Sequence, residues 1–460
     1  MKKKKYLFGL FLIGNIAIAQ TNPIITSWLR NTTGITGRHY LSTGTTPSIP
    51  INDPTLLANV QAVNYNTTTG YVYVSTDGIP AYISGPFNGN PSTVATERNA
   101  VFRFPLAPSP ATTPTNTTGG NIGVFVNGVA LFDYGDAFSW KASSASDVMM
   151  TGDRIWNRDA VVAERTGFDC SKAHPAGGNY HHHQNPSAFN LDLVVISSIC
   201  SPYASDGLYV INPNVHSPLI GFAYDGYPIY GPYAYTNTNG TGAITRMKSS
   251  YSLRTDLPVG LTRPNGPVVA AGAPTGNPVN RGLGYYREDY IYVDHSSDPT
   301  YLNIYNGRVC NTPEYPSTLY PNGIFCYFAT VDANYNSAYP YVVGPEFYGV
   351  NVASNVGTLP TGTTLYNPAL NTADFNISKL DFKIFPNPTS DVISIQALSL
   401  ITNDLKIEMI DELGKIVLTK TFFQGSSTCY IETDTTYNGV YFIKISDIES
   451  SKTFKVIINK

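Results

Sequence analysis

Little charge, few cysteines and few histidines characterise the sequence, and each scarcity narrows the range of functions. Charged residues make up 13% of the 460 residues, with 29 basic and 32 acidic side chains and a formal net charge of −3. A nucleic-acid partner would need a basic face, so this balance argues against one. Tyrosine, glycine and proline are abundant instead (33, 39 and 33 residues). Such a composition favours strands and tight turns over long helices.

After its amino-terminal segment, the sequence has no apolar run long enough to span a membrane. Lys2 to Lys5 form a positive segment, Leu7 to Ile18 an apolar segment, and Ala17-Ile18-Ala19 a small-residue cleavage motif. This pattern predicts a signal peptide over residues 1–19, because the apolar segment is too short to span a bilayer. We expect the mature chain to begin near Gln20, to be exported, and to contain no transmembrane segment.

A composition change between Gly344 and Asp381 predicts a domain boundary. The stretch 20–381 holds 29 of the 33 tyrosines, whereas 382–460 has only three tyrosines but 8 lysines and 9 acidic residues. The run T-L-P-T-G-T-T at 358–364 has no amphipathic period and is typical of a linker. We therefore predict a body over 20–350, a linker over 351–381 and a tail over 382–460.

Short segments of alternating polarity fill the tail, which predicts a small immunoglobulin-like β-sandwich. Its F-P-N-P start, D-E-L-G-K turn, N-G-V-Y-F-I-K-I strand and K-V-I-I-N end resemble the type A carboxy-terminal sorting domain of the type IX secretion system. The resemblance implies that the type IX machinery is a partner. It also implies passage across a Gram-negative outer membrane, followed by secretion or attachment to the outer surface. An ordinary accessory module is the alternative.

Recurring turn signals predict that the body is also β-rich, with many hairpins and loops. Asn-Gly or Asp-Gly, the strongest short hairpin signal, recurs with an apolar residue next and an aromatic residue four positions after the glycine. The four copies start at Asp77, Asn127, Asp225 and Asn322. Together with the tail, this predicts an all-β protein.

Four of the seven histidines lie between His174 and His183, in the run A-H-P-A-G-G-N-Y-H-H-H. In an extended strand, side chains alternate between faces. His181 and His183 would then point the same way, with Tyr180 and His182 on the opposite face. The turn-forming segment Pro175 to Gly178 could carry His174 back to the same side.

Two imidazoles at this spacing make half a metal site, because histidine is a common neutral ligand. The third ligand could be His174, or the distant His216, Asp225 or His295. Three imidazoles with an open position suit Zn²⁺ or Cu²⁺. The alternatives are histidines that only brace a buried turn, and a catalytic acid or base without metal. An aspartate in an Asp-Gly turn such as Asp225 often serves only the turn.

Five cysteines in an exported protein suggest disulfide bonds. The simplest pairing joins Cys170 to Cys200 and Cys310 to Cys326, leaving Cys429 alone in the tail. The rival interpretation makes Cys170 a thiolate ligand beside the clustered histidines.

Several separated sequence blocks between about Asn64 and Val350 make the body resemble the YHYH-domain family. His182 stands where the motif has its second tyrosine, while the flanking histidines are retained. The blocks are F-D-C at 168–170, A-H-P at 173–175, Y-H-H-H at 180–183, H-S-P-L-I-G-F-A-Y-D-G-Y-P-I-Y-G at 216–231, G-Y-Y-R-E-D-Y at 284–290, N-G-R at 306–308, T-P-E-Y-P at 312–316 and Y-P-Y-V-V-G-P at 339–345. The family has no defined biochemistry, so the resemblance implies no reaction.

Three functions follow from these patterns. The first is a secreted or surface-displayed protein that binds a metal through the histidine cluster. The second is a metal-dependent hydrolase or oxidase that uses the same cluster. The third is a surface matrix or glycan-binding module in which the histidines are purely structural.

Overall fold

Two compact units, Met1–Tyr366 and Asn367–Lys460, make up the chain in a computed structural model, and we call them the body and the tail. The predicted signal peptide lies outside the described residues. The structure describes residues 22–32, 34–41, 45–51, 56–85, 87, 95–117, 119–186, 211–367, 382–397, 401, 404–412, 414–423, 428–433, 436–447 and 451–460.

Short strands make up most of the regular secondary structure of the body. They are β1 (Arg38–Leu41), β2 (Thr45–Pro50), β3 (Val60–Asn66), β4 (Tyr71–Thr76), β5 (Ala100–Pro105), β6 (Pro110–Asn116), β7 (Asn121–Phe125), β8 (Ala130–Phe132), β9 (Gly135–Lys141), β10 (Ser146–Met149), β11 (Asn157–Asp159), β12 (Ala173–Ala176), β13 (Asn179–His182), β14 (Leu219–Ala223), β15 (Pro228–Tyr230), β16 (Tyr233–Tyr235), β17 (Ile244–Arg246), β18 (Tyr251–Leu253), β19 (Thr275–Gly276), β20 (Val279–Asn280), β21 (Tyr290–Tyr292), β22 (Gly307–Cys310), β23 (Ile324–Phe328), β24 (Glu346–Gly349), β25 (Ser354–Asn355) and β26 (Thr364–Leu365).

Helices are few and short. They are α1 (Pro23–Thr26), α2 (Ala160–Ala163) and the 3₁₀ turns Ala142–Ser144, Arg165–Gly167 and Arg287–Asp289. None of the helices in the described part of the chain has the length and apolarity needed to cross a membrane. The all-β prediction is confirmed.

An eight-stranded sheet forms the centre of the body, in the order β12-β13-β8-β7-β14-β15-β23-β22. Most neighbours are antiparallel, but β13 pairs with β8, and β15 with β23, in parallel. Residues of β7, β14, β15 and β23 enter one large apolar core, including the fully buried Phe125, Phe222, Tyr230 and Phe328. The hairpin of β12 and β13, which carries His174, His181 and His182, forms one edge of this well-packed sheet.

Two of the Asn-Gly and Asp-Gly signals connect adjacent strands of this sheet, β7 to β8 and β14 to β15. In both turns only the glycine has a positive φ, 84° at Gly128 and 85° at Gly226. Each glycine N–H donates to the carbonyl oxygen three residues earlier, on Phe125 and Ala223 respectively. The hairpins are as predicted, but the turn is a type I turn closed by a left-handed glycine, which tolerates an ordinary φ at the preceding residue.

A second sheet of the body has the order β25-β5-β4-β3-β26. Its edge strands come from the segment predicted as linker: Ser354 pairs with Arg103, and Thr364 with Tyr65. Tyr366 is buried in the core of the body. Residues 351–366 thus belong to the body, because backbone pairing needs no amphipathic period to hold a short edge strand. The rest of the predicted linker, 368–381, lies outside the described residues.

Two sheets face a small apolar core in the tail. Its strands are β27 (Phe382–Phe385), β28 (Val392–Ala397), β29 (Leu405–Asp411), β30 (Ile416–Phe422), β31 (Thr428–Glu432), β32 (Gly439–Ser446) and β33 (Ser451–Ile458). The sheet orders are β27-β28-β31 and β30-β29-β32-β33. Alternate residues such as Ile393 and Ile395, or Ile443 and Ile445, are fully buried. This is the sandwich that the alternating pattern predicts.

Candidate metal site

Strands β12 and β13 form a tight hairpin that sets the histidines side by side. His174 pairs directly with His181, and Ala173 with His182. The turn between the strands is Gly177-Gly178, and both glycines have a positive φ (54° and 82°). Because directly paired residues share a face of the sheet, His174 and His181 lie on one side. His183, two residues further, returns to that side.

His182 lies on the opposite face, inside the core of the body. Its Nε2 is 3.0 Å from the hydroxyl of Tyr82, and its ring contacts Phe125 and Tyr180 edge-on. Burial lowers the pKa of His182 to about 3. This imidazole is neutral and structural, and it is separated from its two neighbours by the alternation that the sequence predicts.

Glu164 completes the cluster and was missed by the sequence analysis. It is the residue at which α2 ends, and the helix itself is started by Asp159, whose carboxylate accepts hydrogen bonds from the N–H groups of Val161 and Val162. Four residues of helix are too few to give a periodic signal. The available hint was local: a carboxylate ten residues before His174 in a body with few charges.

Four ligand atoms converge in this cluster, one each from Glu164, His174, His181 and His183, and all lie within 4.8 Å of one another. Oε2 of Glu164 is 3.0 Å from Nε2 of His174 and 3.1 Å from Nε2 of His183. Nε2 of His181 is 3.1 Å from Nε2 of His183. Ligands at 2.0–2.1 Å around a tetrahedral ion stand about 3.3 Å apart, so these separations fit a single ion.

Backbone carbonyls fix the tautomers of two of the imidazoles. Nδ1 of His181 lies 2.8 Å from the carbonyl oxygen of Asn179, and Nδ1 of His183 lies 2.6 Å from that of Asp133. A carbonyl oxygen only accepts, so each Nδ1 carries a proton; Nε2 of His181 then presents a lone pair, and Nε2 of His183 does so once it gives up the proton that it shares with Glu164. Hydrogen bonds from the ring nitrogen that does not bind the ion typically orient histidine ligands of a metal. Two lone pairs 3.1 Å apart repel unless a proton or a cation lies between them.

The electrostatics of the cluster favour the ligand forms of two groups. Burial would raise the pKa of Glu164, but hydrogen bonds from His174 and His183 hold that pKa well below its ordinary value. Burial and the neighbouring His183 and His174 lower the pKa of His181 well below 6.5. Burial would likewise lower the pKa of His183, but its hydrogen bond to Glu164 raises it. At neutral pH the cluster therefore contains a carboxylate, a neutral imidazole and one imidazole that shares a proton with the carboxylate.

The cluster opens onto a cleft of about 440 Å³. Glu164, His174, His181 and His183 form one part of its lining. The other lining residues include apolar, polar and charged side chains from β8, β9, β11, the 3₁₀ turn Arg287–Asp289 and the segment after β10, namely Phe132, Ala137, Met150, Asp136, Arg154, Asn157 and Arg287. The ring of Phe132 stacks on His181, with centroids 3.9 Å apart. A small molecule could therefore reach an ion held in the cluster.

Two predicted ligands, His216 and Asp225, lie outside the cluster. Nδ1 of His216 contacts the carbonyl oxygen of Ser217, and burial lowers the pKa of His216 to about 4. The Asp225 carboxylate accepts hydrogen bonds from the hydroxyl of Tyr327 (2.6 Å) and the N–H of Gly349 (2.8 Å). Asp225 serves the fold of its turn rather than the cluster. The half-buried His295 is also elsewhere, stacked on Tyr301.

The cysteines depart from the prediction in part. Cys310 and Cys326 are free, buried thiols, so the disulfide predicted between them is not formed. In the strand register Cys310 faces Ile324 and Arg308 faces Cys326, which places the two thiols diagonally instead of opposite each other. Cys170 is disulfide-bonded, but its predicted partner Cys200 lies outside the described residues, so that pairing stays a prediction. The fourth ligand position belongs to Glu164 and not to a Cys170 thiolate.

Comparison with protein families gives two matches. The model of the family described as YHYH protein matches residues 101–340, which contain the whole cluster and its cleft. The model described as secretion system C-terminal sorting domain matches residues 383–459, nearly the whole tail. The tail therefore marks an exported protein that is handled by the type IX secretion machinery. No curated protein is similar enough to the chain to count as a match.

Proposed function

We propose a function for this chain, which belongs to the YHYH protein family: its body binds a transition-metal ion through Glu164, His174, His181 and His183. The protein would carry this ion outside the cell, either released or attached to the outer surface after removal of the tail. The observation that carries the proposal is the convergence of three imidazole nitrogens and one carboxylate oxygen on a single point.

Unsatisfied buried atoms support a cation at that point. Oε2 of Glu164 and Nε2 of His174 are buried 3.0 Å apart, and this contact stabilises them only when the imidazole carries a proton. Such groups cost free energy when left unpaired, and a bound cation would satisfy both at once. Three imidazoles and a carboxylate suit Zn²⁺ or Cu²⁺.

A metal-dependent hydrolase or oxidase is the second candidate, and the cleft favours it. A purely structural zinc site is closed by protein ligands, whereas a catalytic site keeps a position for water or substrate. Here four protein ligands fill a tetrahedral shell, but the cluster faces a cleft of about 440 Å³, so an ion could take water or substrate as a fifth ligand on that side. An ion that exchanges a water molecule for added ligands supports this candidate over simple metal storage.

Elemental analysis of the exported chain, purified without a histidine tag, tests the proposal. We expect close to one ion per chain in the wild type and none in a variant with His181→Ala and His183→Ala. His182→Gln is the matched control: it removes the imidazole between them on the opposite face and should retain the ion. A wild-type chain free of metal after incubation with Zn²⁺ or Cu²⁺ would instead support the surface-matrix or glycan-binding alternative, in which the histidines only brace the fold.

A further inference from the structure

One cation in the cleft, Arg287, is paired with two carboxylates, but both contacts are long. Its Nη1 is 3.4 Å from Oδ1 of Asp133, and its Nε is 3.7 Å from Oε1 of Glu288. Other arginines nearby make short ion pairs, such as Arg263 with Asp289 and Arg281 with Asp147, both at 2.7 Å. The guanidinium of Arg287 therefore keeps hydrogen-bonding capacity that the described residues do not use.

The neighbouring carboxylates are engaged elsewhere. Both oxygens of Glu288 accept hydrogen bonds from Asn157 at 2.7 Å, and the carboxylate of Asp136 is bound by Arg158. Asp133 accepts a hydrogen bond from the N–H of Gly135 through the same Oδ1 that faces Arg287. An anion that enters the cleft would therefore compete for the guanidinium mainly with Asp133, whose contact with it is 3.4 Å long.

The fold holds Arg287 in position for such a contact. Its guanidinium lies over the ring of Tyr134, 5.1 Å from the centroid. A Cβ at position 135 would come within 2.7 Å of Nη1, so only glycine leaves room for the side chain there. Asp133 links Arg287 to the cluster, because its carbonyl oxygen accepts the hydrogen bond of His183. The side chain is 20% exposed, and what is exposed lines the cleft.

The cleft as a whole combines positive charge with an apolar wall. Arg154 at its edge is exposed and donates only a 3.3 Å hydrogen bond to the carbonyl oxygen of Met150. Phe132 and Met150 provide apolar surface, and Met150 is 66% exposed. With a divalent ion in the cluster, the ion, Arg154, Arg158 and Arg287 carry five positive charges, against four negative charges on Asp133, Asp136, Glu164 and Glu288. A ligand with one anionic group and one apolar group fits this lining.

We propose that the ligand of this site is a small organic carboxylate with an apolar substituent. One carboxylate oxygen would bind the ion, Arg287 would bind the carboxylate from the other side, and the substituent would pack against Phe132 and Met150. The inference rests on the proposed metal site. It assigns Arg287 as the residue that recognises the anion, a role that geometry gives it independently of which metal is bound.

Calorimetric titration of the zinc-loaded exported chain with benzoate, and with its neutral analogue benzamide, tests this proposal. We expect benzoate to bind the wild type and benzamide to bind at least tenfold more weakly. In Arg287→Gln the Kd for benzoate should rise roughly tenfold or more, because hydrogen bonds to charged groups contribute that much, while the zinc content stays the same. Imidazole, a neutral ligand for an open metal position, should bind both proteins equally.

Arg154→Gln gives a second test that does not depend on a partly buried residue, and we expect a several-fold rise in the Kd for benzoate. Arg254→Gln, in an exposed ion pair with Asp256 away from the cleft lining, is the control for charge removal. Equal benzoate affinities in the wild type, Arg287→Gln and Arg154→Gln, at unchanged zinc content, would overturn this inference alone. A wild-type chain that retains no zinc would overturn the proposed function and this inference with it.

Discussion

The body and the tail are both made of strands, but they bury different kinds of side chain. The core of the tail is formed by isoleucine, leucine and other apolar residues, and the buried polar residues among those described there are Thr389, Glu408 and Thr433. The body buries aspartates, arginines and three adjacent histidines, several with no solvent exposure. Buried polar groups cost free energy unless they are paired, so they persist mainly where geometry or chemistry requires them. The difference locates the chemistry in the body and leaves the tail as a recognition module.

Deletion of the tail should have the largest effect, since it should change where the protein is located. Deleting 382–460 should leave a folded body that stays in the periplasm, because the body has its own core and the tail carries the sorting signal. Cell fractionation and protease resistance of the truncated protein measure the two parts of this prediction. Arrival of the truncated body at the cell surface would show that export does not need the tail.

Breaking a buried ion pair of the body should lower its free energy of unfolding by a few kcal/mol. Arg263 and Asp289 form a two-point ion pair (2.7 and 2.9 Å) with no exposure of either side chain. Arg263→Met should destabilise the body by about 3–5 kcal/mol, because it leaves a buried carboxylate without its cation. Denaturant unfolding measures the loss, and the exposed pair partner Arg254→Gln should change the unfolding free energy little. Equal effects of the two variants would mean that burial does not decide the cost.

Removal of metal should destabilise the body and leave the tail unchanged. An ion bound only by the folded state adds RT ln(1 + [L]/Kd), about 2.7 kcal/mol at a free concentration 100 times the Kd. Chelator should therefore lower the thermal midpoint of the body by several degrees. The tail, which has no histidine and one cysteine, should unfold at the same temperature with and without chelator. A lower thermal midpoint of the tail in chelator, or an unchanged midpoint of the body, would contradict metal binding by the body alone.

Asp225 is a buried polar group of the body that lies outside the cluster, so its substitution should change stability without changing metal content. Asp225→Asn should keep the metal and cost about 1–3 kcal/mol. One oxygen of Asp225 accepts the hydrogen bonds of Tyr327 and Gly349 and the other faces the N–H of Tyr227, whereas an amide has only one oxygen. Burial raises the pKa of Asp225 to about 6. The raised folded-state pKa makes the wild type lose stability as pH rises from about 4 to 7, whereas the variant does not.

The stability gap between the wild type and Asp225→Asn should therefore narrow over that pH range, measured by denaturant unfolding at several pH values. A gap that widens as the pH rises would mean that the ionised carboxylate is the stabilising form. Loss of metal from this variant would place Asp225 in the site after all.

The tail and half of the candidate site could be predicted from sequence because period-two alternation decides both. Alternation puts Ile443 and Ile445 in the core of the tail, and it puts His181 and His183 on one face with His182 on the other. The two-glycine turn returns His174 to their side. These are local effects, and neighbouring residues alone determine them.

Glu164 could not be predicted in the same way, because tertiary contacts place it. It ends a four-residue helix, and the packing of that helix against β9, β11 and β19 brings its carboxylate to the histidines. His216 and Asp225 lie away from the cluster for the converse reason: residue type suggested ligands, while their buried surroundings gave them structural partners. The diagonal register of Cys310 and Cys326 likewise depends on strand pairing that loop spacing does not reveal.

Anomalous diffraction from crystals of the exported chain soaked with Zn²⁺ or Cu²⁺ tests whether the cluster binds one metal ion. We predict one strong peak at about 2.0–2.2 Å from Nε2 of His174, His181 and His183 and from the carboxylate of Glu164. A peak at His216, at Asp225 or at the thiols of Cys310 and Cys326, with none at the cluster, would contradict it.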